Sequence, residues 1–246
     1  MLFRSLGFNE DLMTRLAQRS DGNTYFVENS GDLPRIFAAE LGDVLNVVAR
    51  RVVIEIDFPV GVRPLNFVGR DGTIRGQRAE LTLNQLYGGQ EKFALIEVEV
   101  APSRSGVEIE IASARVSYED ALNQRAATLT AKRNVQFSTS RAAVVSSADH
   151  KVQADWAANR LAVAKDEAVA LVDAGRRDEA ATMMRERASE LRAMGGLYHN
   201  RALEQAAAPA GAMADQVEKD GLDNTARKIF RVESAATRNQ QSSSSR

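Results

Sequence analysis

His150 and His199 are the only imidazoles in this chain of 246 residues, and cysteine is absent altogether. Without cysteine there is no disulfide, thiolate zinc site, iron–sulfur ligation or cysteine nucleophile. A metal held by these histidines needs carboxylates to complete its shell. The two sit in separate helical stretches, so both read as structural or surface residues. A serine–histidine–aspartate triad lacks the Gly-x-Ser-x-Gly turn that holds its nucleophile. Val68-Gly69-Arg70-Asp71-Gly72-Thr73 and Gly88-Gly89 match neither the P-loop nor the dinucleotide fingerprint, and read as hairpin turns. Glu97, Glu99, Glu108 and Glu110 fall at period two, the pattern of a solvated sheet face. Trp156, Met183, Met184 and Met194 can line an adaptable partner groove, but their helical spacing reads as core. No catalytic, cofactor-binding or metal residue is assigned and no cofactor is expected in this chain. It reads as a binding protein, not an enzyme.

Bulk properties narrow the partner. Lys and Arg number 32 against 33 Asp and Glu, and the pI is about 6.2. This balance gives no broad electrostatic footprint for nucleic acid or anionic lipid. No run of about 18 apolar residues encodes a membrane span. The first nine residues lack the apolar stretch of a signal peptide, which leaves localisation open between envelope and cytoplasm.

The elements that would position these residues fall into three groups. Asn9-Glu10-Asp11 caps a short helix whose apolar side is Leu12 and Leu16. Thr24-Tyr25-Phe26-Val27 is β-prone, and Leu33, Ile36, Phe37, Leu41, Val44, Leu45 and Val48 give a second helix through about Ala49. From Arg51 the period becomes alternating. Val52, Ile54, Ile56 and Phe58 start a strand, with further strands near 79–83, 93–100, 107–118 and 127–137. Strands with turns between them and no interleaved helix predict an antiparallel sandwich. Ala154, Ala157, Leu161, Ala164, Ala168 and Leu171 then make a helix with a narrow, small-residue seam. Gly175 turns it into a second helix, a hairpin that looks like one tetratricopeptide pair without a second copy. Gly195-Gly196 is expected to break that helix. A further helix over 197–207 should stop before Pro209 and Gly211, and a last one spans about 223–236. Gln240 to Arg246 reads as a disordered tail.

Three stretches together resemble a known family. Gly7-Phe8-Asn9-Glu10-Asp11-Leu12-Met13, Gly22-Asn23-Thr24-Tyr25-Phe26-Val27-Glu28-Asn29 and Asp32-Leu33-Pro34-Arg35-Ile36-Phe37 are similar to the last helix–strand–helix of bacterial von Willebrand factor A (VWA) domain proteins labelled calcium-activated chloride channel-like. Leu83-Asn84-Gln85-Leu86-Tyr87-Gly88-Gly89, Tyr118-Glu119-Asp120-Ala121-Leu122 and Thr237-Arg238-Asn239-Gln240-Gln241 continue the resemblance to the end. It implies an α+β multidomain chain: a VWA α/β remnant at 1–50, an antiparallel β-sandwich at 51–144, a helical hairpin module at 145–238 and a tail at 239–246. Family members hold a divalent cation through Asp-x-Ser-x-Ser. That motif does not occur here, so magnesium or calcium is expected only in a full-length relative, and the chain is expected to be the C-terminal portion of one. The function implied is protein interaction or scaffolding. The alternative is a hydrolase or carbohydrate-binding module using the loop end of the sandwich. A channel component is suggested by the family label alone.

Overall fold

The computed structural model describes residues 10–20, 22, 23, 25, 27, 30–44 and 46–241. In chain order the elements are α1 (Glu10–Ser20), α2 (Leu33–Val44), β1 (Val47–Asp57), β2 (Val62–Phe67), β3 (Thr73–Arg75), β4 (Arg78–Tyr87), β5 (Ile96–Val100), β6 (Glu108–Asp120), β7 (Arg125–Gln136), α3 (Arg141–Ser146), α4 (His150–Asp173), α5 (Arg177–Tyr198), α6 (Arg201–Asp220) and α7 (Asn224–Arg238). The chain is α+β. It divides into a helical unit, residues 1–26 with 145–239, and a sheet unit, residues 27–144 with 240–246.

The helical unit is built on alanine. Ala157, Ala164 and Ala168 of the expected α4 seam are buried, and Val169, Ala180, Ala181, Met184, Ala214, Val217 and Phe230 complete one cluster with the latter two alanines. Small side chains let helices approach closely, and the caps fix where each begins. Asp149 accepts from the backbone N–H of Lys151 (3.0 Å) and Val152 (3.1 Å), and Asp223 from that of Ala226 (2.7 Å). After α4, Gly175 takes φ +76°. Its N–H bonds Val172 O and the Arg176 N–H bonds Leu171 O, the paired bonds of a Schellman turn.

Two expected breaks are absent. Gly195 and Gly196 lie inside α5. Gly195 is there because α6 starts against it: a Cβ would stand 3.0 Å from the Glu204 backbone nitrogen. Helix α6 likewise runs through Pro209. A proline inside a helix costs about 3 kcal/mol; burial of Leu203, Ala207, Ala210, Ala214 and Val217 along one face offsets it. Helix α1 packs on α7, but not by the expected face. Leu12 is 62% exposed and Thr14 and Ala17 are buried. The Asp11 carboxylate approaches Arg231 at 2.9 Å and Arg227 at 3.3 Å, which turns that side of α1 towards α7.

In the sheet unit every strand pair is antiparallel. Five strands run in the order β3-β4-β1-β6-β7, and β2 pairs with β5. Apolar residues of the pair β2–β5, namely Val62, Phe67, Ile96, Val98 and Val100, share one cluster with Ile56, Ala79, Ile109 and Ile111 of the larger sheet. A second cluster joins Val52, Leu81 and Leu83. The helix expected through Ala49 stops at Val44, and β1 already begins at Val47. Strand β1 bulges between Arg50 and Val53 where it pairs with β6, with Arg51 at φ +50°. Of the expected strand 24–27, Thr24 and Phe26 lie outside the described residues; Tyr25 and Val27 are not in a strand. The expected tail is ordered at its start. The Gln240 side chain pairs with both backbone groups of Phe93, at 2.8 Å each, and Gln241 is buried; residues 242–246 lie outside the described residues.

Candidate interaction surface

The hairpin β6–β7 starts from its turn. Asp120 Oδ1 accepts from the N–H groups of Leu122 (2.8 Å) and Asn123 (3.1 Å), and Oδ2 from the Asn123 side chain (3.2 Å). These bonds, Asn123 first, hold the Asp120 carboxyl below its usual range. Gln124 follows at φ +53° and donates to Asp120 O, closing a short loop whose tip, Leu122, is exposed.

From this turn β7 runs along β6 in the register Leu129 opposite Val116, Ala131 opposite Ala114 and Ala127 opposite Tyr118. Period two therefore puts Arg125, Ala127, Leu129, Ala131, Arg133 and Val135 on the face whose counterparts on β1 and β4 form the core. Burial falls steadily across that face. Val52, Leu81 and Leu83 are buried, Val116 and Tyr118 half-buried, and Leu129 is 62% exposed. The reason is width. At about 4.8 Å per strand, two strands cannot cover five, so the pair β2–β5 leaves β7 bare.

The edge is bare as well. Among the described residues β7 has one strand neighbour, β6. Phe137 just beyond it turns both backbone groups to the β6 side, its N–H to Val107 O (2.9 Å) and its O to the Gly106 N–H (2.8 Å). Alternation then aims the backbone groups of residues 126, 128, 130, 132, 134 and 136 away from β6. On the opposite face Lys132 pairs with Glu110 (2.8 Å) and Asn134 donates to Glu108 (2.9 Å). Arg125 and Arg133 are exposed and have no ion-pair partner among the described residues.

The residues singled out in the sequence are dispersed. Asn200, buried at the start of α6, donates to His150 O (3.1 Å) and to the Gln153 side chain (3.0 Å), which brings the neighbouring His199 to the same end of the helical unit. Both imidazoles are exposed, and the described residues hold no group of three or more metal-ligating side chains. The period-two glutamates belong to two different sheets. Glu97 accepts from Asn66 (3.1 Å) and Glu99 from Arg63 (2.9 Å), so all four are cross-strand partners. A groove of about 500 Å³ at the end of β2 and β5 is lined by Arg63, Gln77, Glu99 and Pro102, with neither histidine nor serine. Met184 is core, and Trp156, Met183 and Met194 pack partly buried against the helical clusters. Helix α2 leaves Phe37 exposed, and α1 leaves Leu12, Met13 and Leu16 exposed.

Arg125, Leu129 and Arg133 were missed in the sequence. The available signal was the composition of β7: between Arg125 and Arg133 one face carries only two alanines and a single leucine where a covered strand carries bulky side chains.

No protein-family model matches the chain, and no curated protein sequence matches it. Solved structures do. The chain is similar to a von Willebrand factor type A protein from Catenulispora acidiphila, at 13% identity and TM-score 0.54 over 76% of this chain and 47% of that one. It is similar to the ArnB paralog VWA2 from Sulfolobus acidocaldarius at 15% and 0.52, over 94% of this chain and 52% of that one. The human COPII-coat protein Sec24c is matched at 14% and 0.59, over 92% of this chain and 30% of that one. The chain thus spans about half or less of each neighbour. At such identity the likeness carries the fold alone, and that fold is VWA-like.

Proposed function

We propose that the chain is a non-enzymatic protein-interaction or scaffold part of a VWA-type protein, without a metal-ion-dependent adhesion site of its own. The observation that carries this reading is β7, a twelve-residue strand whose outer edge and apolar face are left uncovered among the described residues. A long open edge is a template for another chain, and proteins that do not use such edges cover or shorten them. The exposed Leu12, Met13 and Leu16, neighbours on α1, agree, since contiguous apolar surface marks places where proteins meet. One neighbour, Sec24c, is by name a coat protein, an assembly role of the same kind.

The test is selection of a displayed library of extended peptides on the whole chain and on Thr130→Pro. Proline at 130 removes a donor aimed away from β6, so the β6 ladder survives. Peptides enriched on the wild type and lost on the variant support the reading; equal recovery on both overturns it. Titration calorimetry with magnesium and calcium is expected to show no tight stoichiometric site; one with micromolar affinity would contradict the metal-independent part.

A further inference from the structure

We propose that the occupant of the β7 edge is an extended peptide segment of another protein carrying acidic side chains eight residues apart, with apolar side chains between them. This rests on the reading of β7 as a binding edge and adds the chemistry of what binds. Arg125 and Arg133 stand on the uncovered face at either end of Ala127, Leu129 and Ala131. Eight residues of strand separate them, about 27 Å. A strand laid on the edge, in either direction, places residues of matching parity on that same face. Its first and ninth residues then fall opposite the two guanidiniums. Neither arginine makes an ion pair among the described residues: Asp120, opposite Arg125, gives its oxygens to its own turn, whereas Lys132 on the other face is already paired with Glu110. The shape is also specific. Ala127 and Ala131 leave room for large apolar side chains opposite them, while Leu129 requires a small one.

The same arginines disfavour a second copy of the chain as the occupant. Antiparallel pairing of two β7 edges centred on Leu129 opposes Arg125 of each copy directly to Arg133 of the other, and the fuller overlap centred on Thr130 leaves the same two residues as diagonal neighbours. Like charges directly opposite one another destabilise a strand pair, and opposite charges stabilise it.

The experiment uses a labelled peptide, Glu-Thr-Val-Thr-Ala-Thr-Val-Thr-Glu on a soluble tail, and its counterpart with lysine at both ends. Fluorescence anisotropy is read against the full chain and against the double variant Arg125→Glu/Arg133→Glu, each checked for folding by circular dichroism. Wild type is expected to bind the Glu-ended peptide about tenfold tighter than the Lys-ended one. The double variant should reverse the order, and Thr130→Pro should bind neither. Equal binding of both peptides to wild type overturns the acidic specificity and leaves the binding-edge reading standing. Binding of neither peptide overturns the inference; recovery of other extended peptides in the library selection then shows that the edge reading survives it. A reversible dimer in sedimentation that Thr130→Pro abolishes would assign the edge to a second copy, and so overturn it too.

Discussion

Asp166 ties α4 to α7 through one partly buried carboxylate. Its carboxylate, on α4, accepts from three groups of α7: Arg231 Nη1 (3.0 Å), Ser234 Oγ (2.7 Å) and Arg238 Nη1 (2.9 Å). The Asp166 side chain is only 16% exposed, and Ser234 is fully buried. Asp166→Ala leaves two guanidiniums and a hydroxyl without this acceptor. Breaking a buried, hydrogen-bonded pair costs about 3–5 kcal/mol. Two features place this one at the lower end, about 3 kcal/mol. Arg238 is near enough to the surface to reach water. Arg231 keeps Asp11 at 2.9 Å, although its Nε–H is not aimed to make a hydrogen bond there. Asp166→Asn keeps one oxygen and should cost about 2 kcal/mol. Urea denaturation followed by tryptophan fluorescence is the assay, because Trp156 on α4 is the only tryptophan and reports on the helical unit alone. Arg185→Ala is the control. Its ion pairs with Asp215 and Glu218 are exposed and screened by water, so the loss should be small beside that of Asp166→Ala. A loss below about 0.5 kcal/mol for Asp166→Ala would show that α7 is held by apolar packing and not by this carboxylate.

Adjacent glycines should respond in opposite directions. Gly195→Ala brings a Cβ to 3.0 Å from the Glu204 backbone nitrogen and should lower stability by about 1–3 kcal/mol; Gly196→Ala meets nothing within 4 Å and should raise it by up to about 1 kcal/mol. Thermal unfolding of the two variants decides this, and shifts of the same sign would refute the close approach of α6 to α5. Asp120→Asn tests the β6–β7 turn through pH. The folded carboxyl lies below its ordinary value, so its contribution is present above the unfolded pKa and is lost as pH falls through the folded one. The variant should be less stable than wild type at neutral pH, with the gap closing in acid below the usual carboxylate range; a gap independent of pH would rule out the charge as its cause. Gly72→Ala drives a Cβ into the Phe67 ring, which joins both clusters of the sheet unit, and should destabilise that unit by about 1–3 kcal/mol in a circular dichroism melt.

What could be read from the sequence follows the range of the interaction that decides it. Periods of two and 3.6 are local, so β1, β6, β7, α4 and α7 were legible within a few residues, and so was the alanine seam of α4. Gly195 and Pro209 were misread because local propensity was the only guide to them. In the first a neighbouring helix needs the space, and in the second burial along α6 outweighs the broken backbone bond. Helix α1 failed for a third reason. Its two leucines point outwards, and the long-range pairing of Asp11 with α7 decides which face turns in. Gln240 looked like tail composition, but a carboxamide can bond both backbone groups of one residue, here Phe93, 147 positions away.

The charge balance was the least informative number of all. With 32 basic and 33 acidic residues the chain looks electrostatically neutral, which speaks against polyanionic partners. Neutrality of the whole does not extend to its parts. Strand β7 carries Arg125, Lys132 and Arg133 and no acid, and β6 beside it carries Glu108, Glu110, Glu119 and Asp120 against a single Arg115. Cross-strand bonds absorb most of this contrast: Glu110 takes Lys132, Glu108 takes Asn134, and Glu119 pairs with Arg51 on β1. Asp120 spends its oxygens on the turn. What is left over on the apolar side is Arg125 and Arg133, where β6 offers Ala114, Val116 and Tyr118, and Asp120 opposite Arg125 is committed to its turn. An edge strand commonly carries inward charges to deter its own kind. Here the same placement leaves two positive charges at a fixed spacing beside an uncovered apolar face, so a device against self-pairing also defines the charge of the strand that can pair.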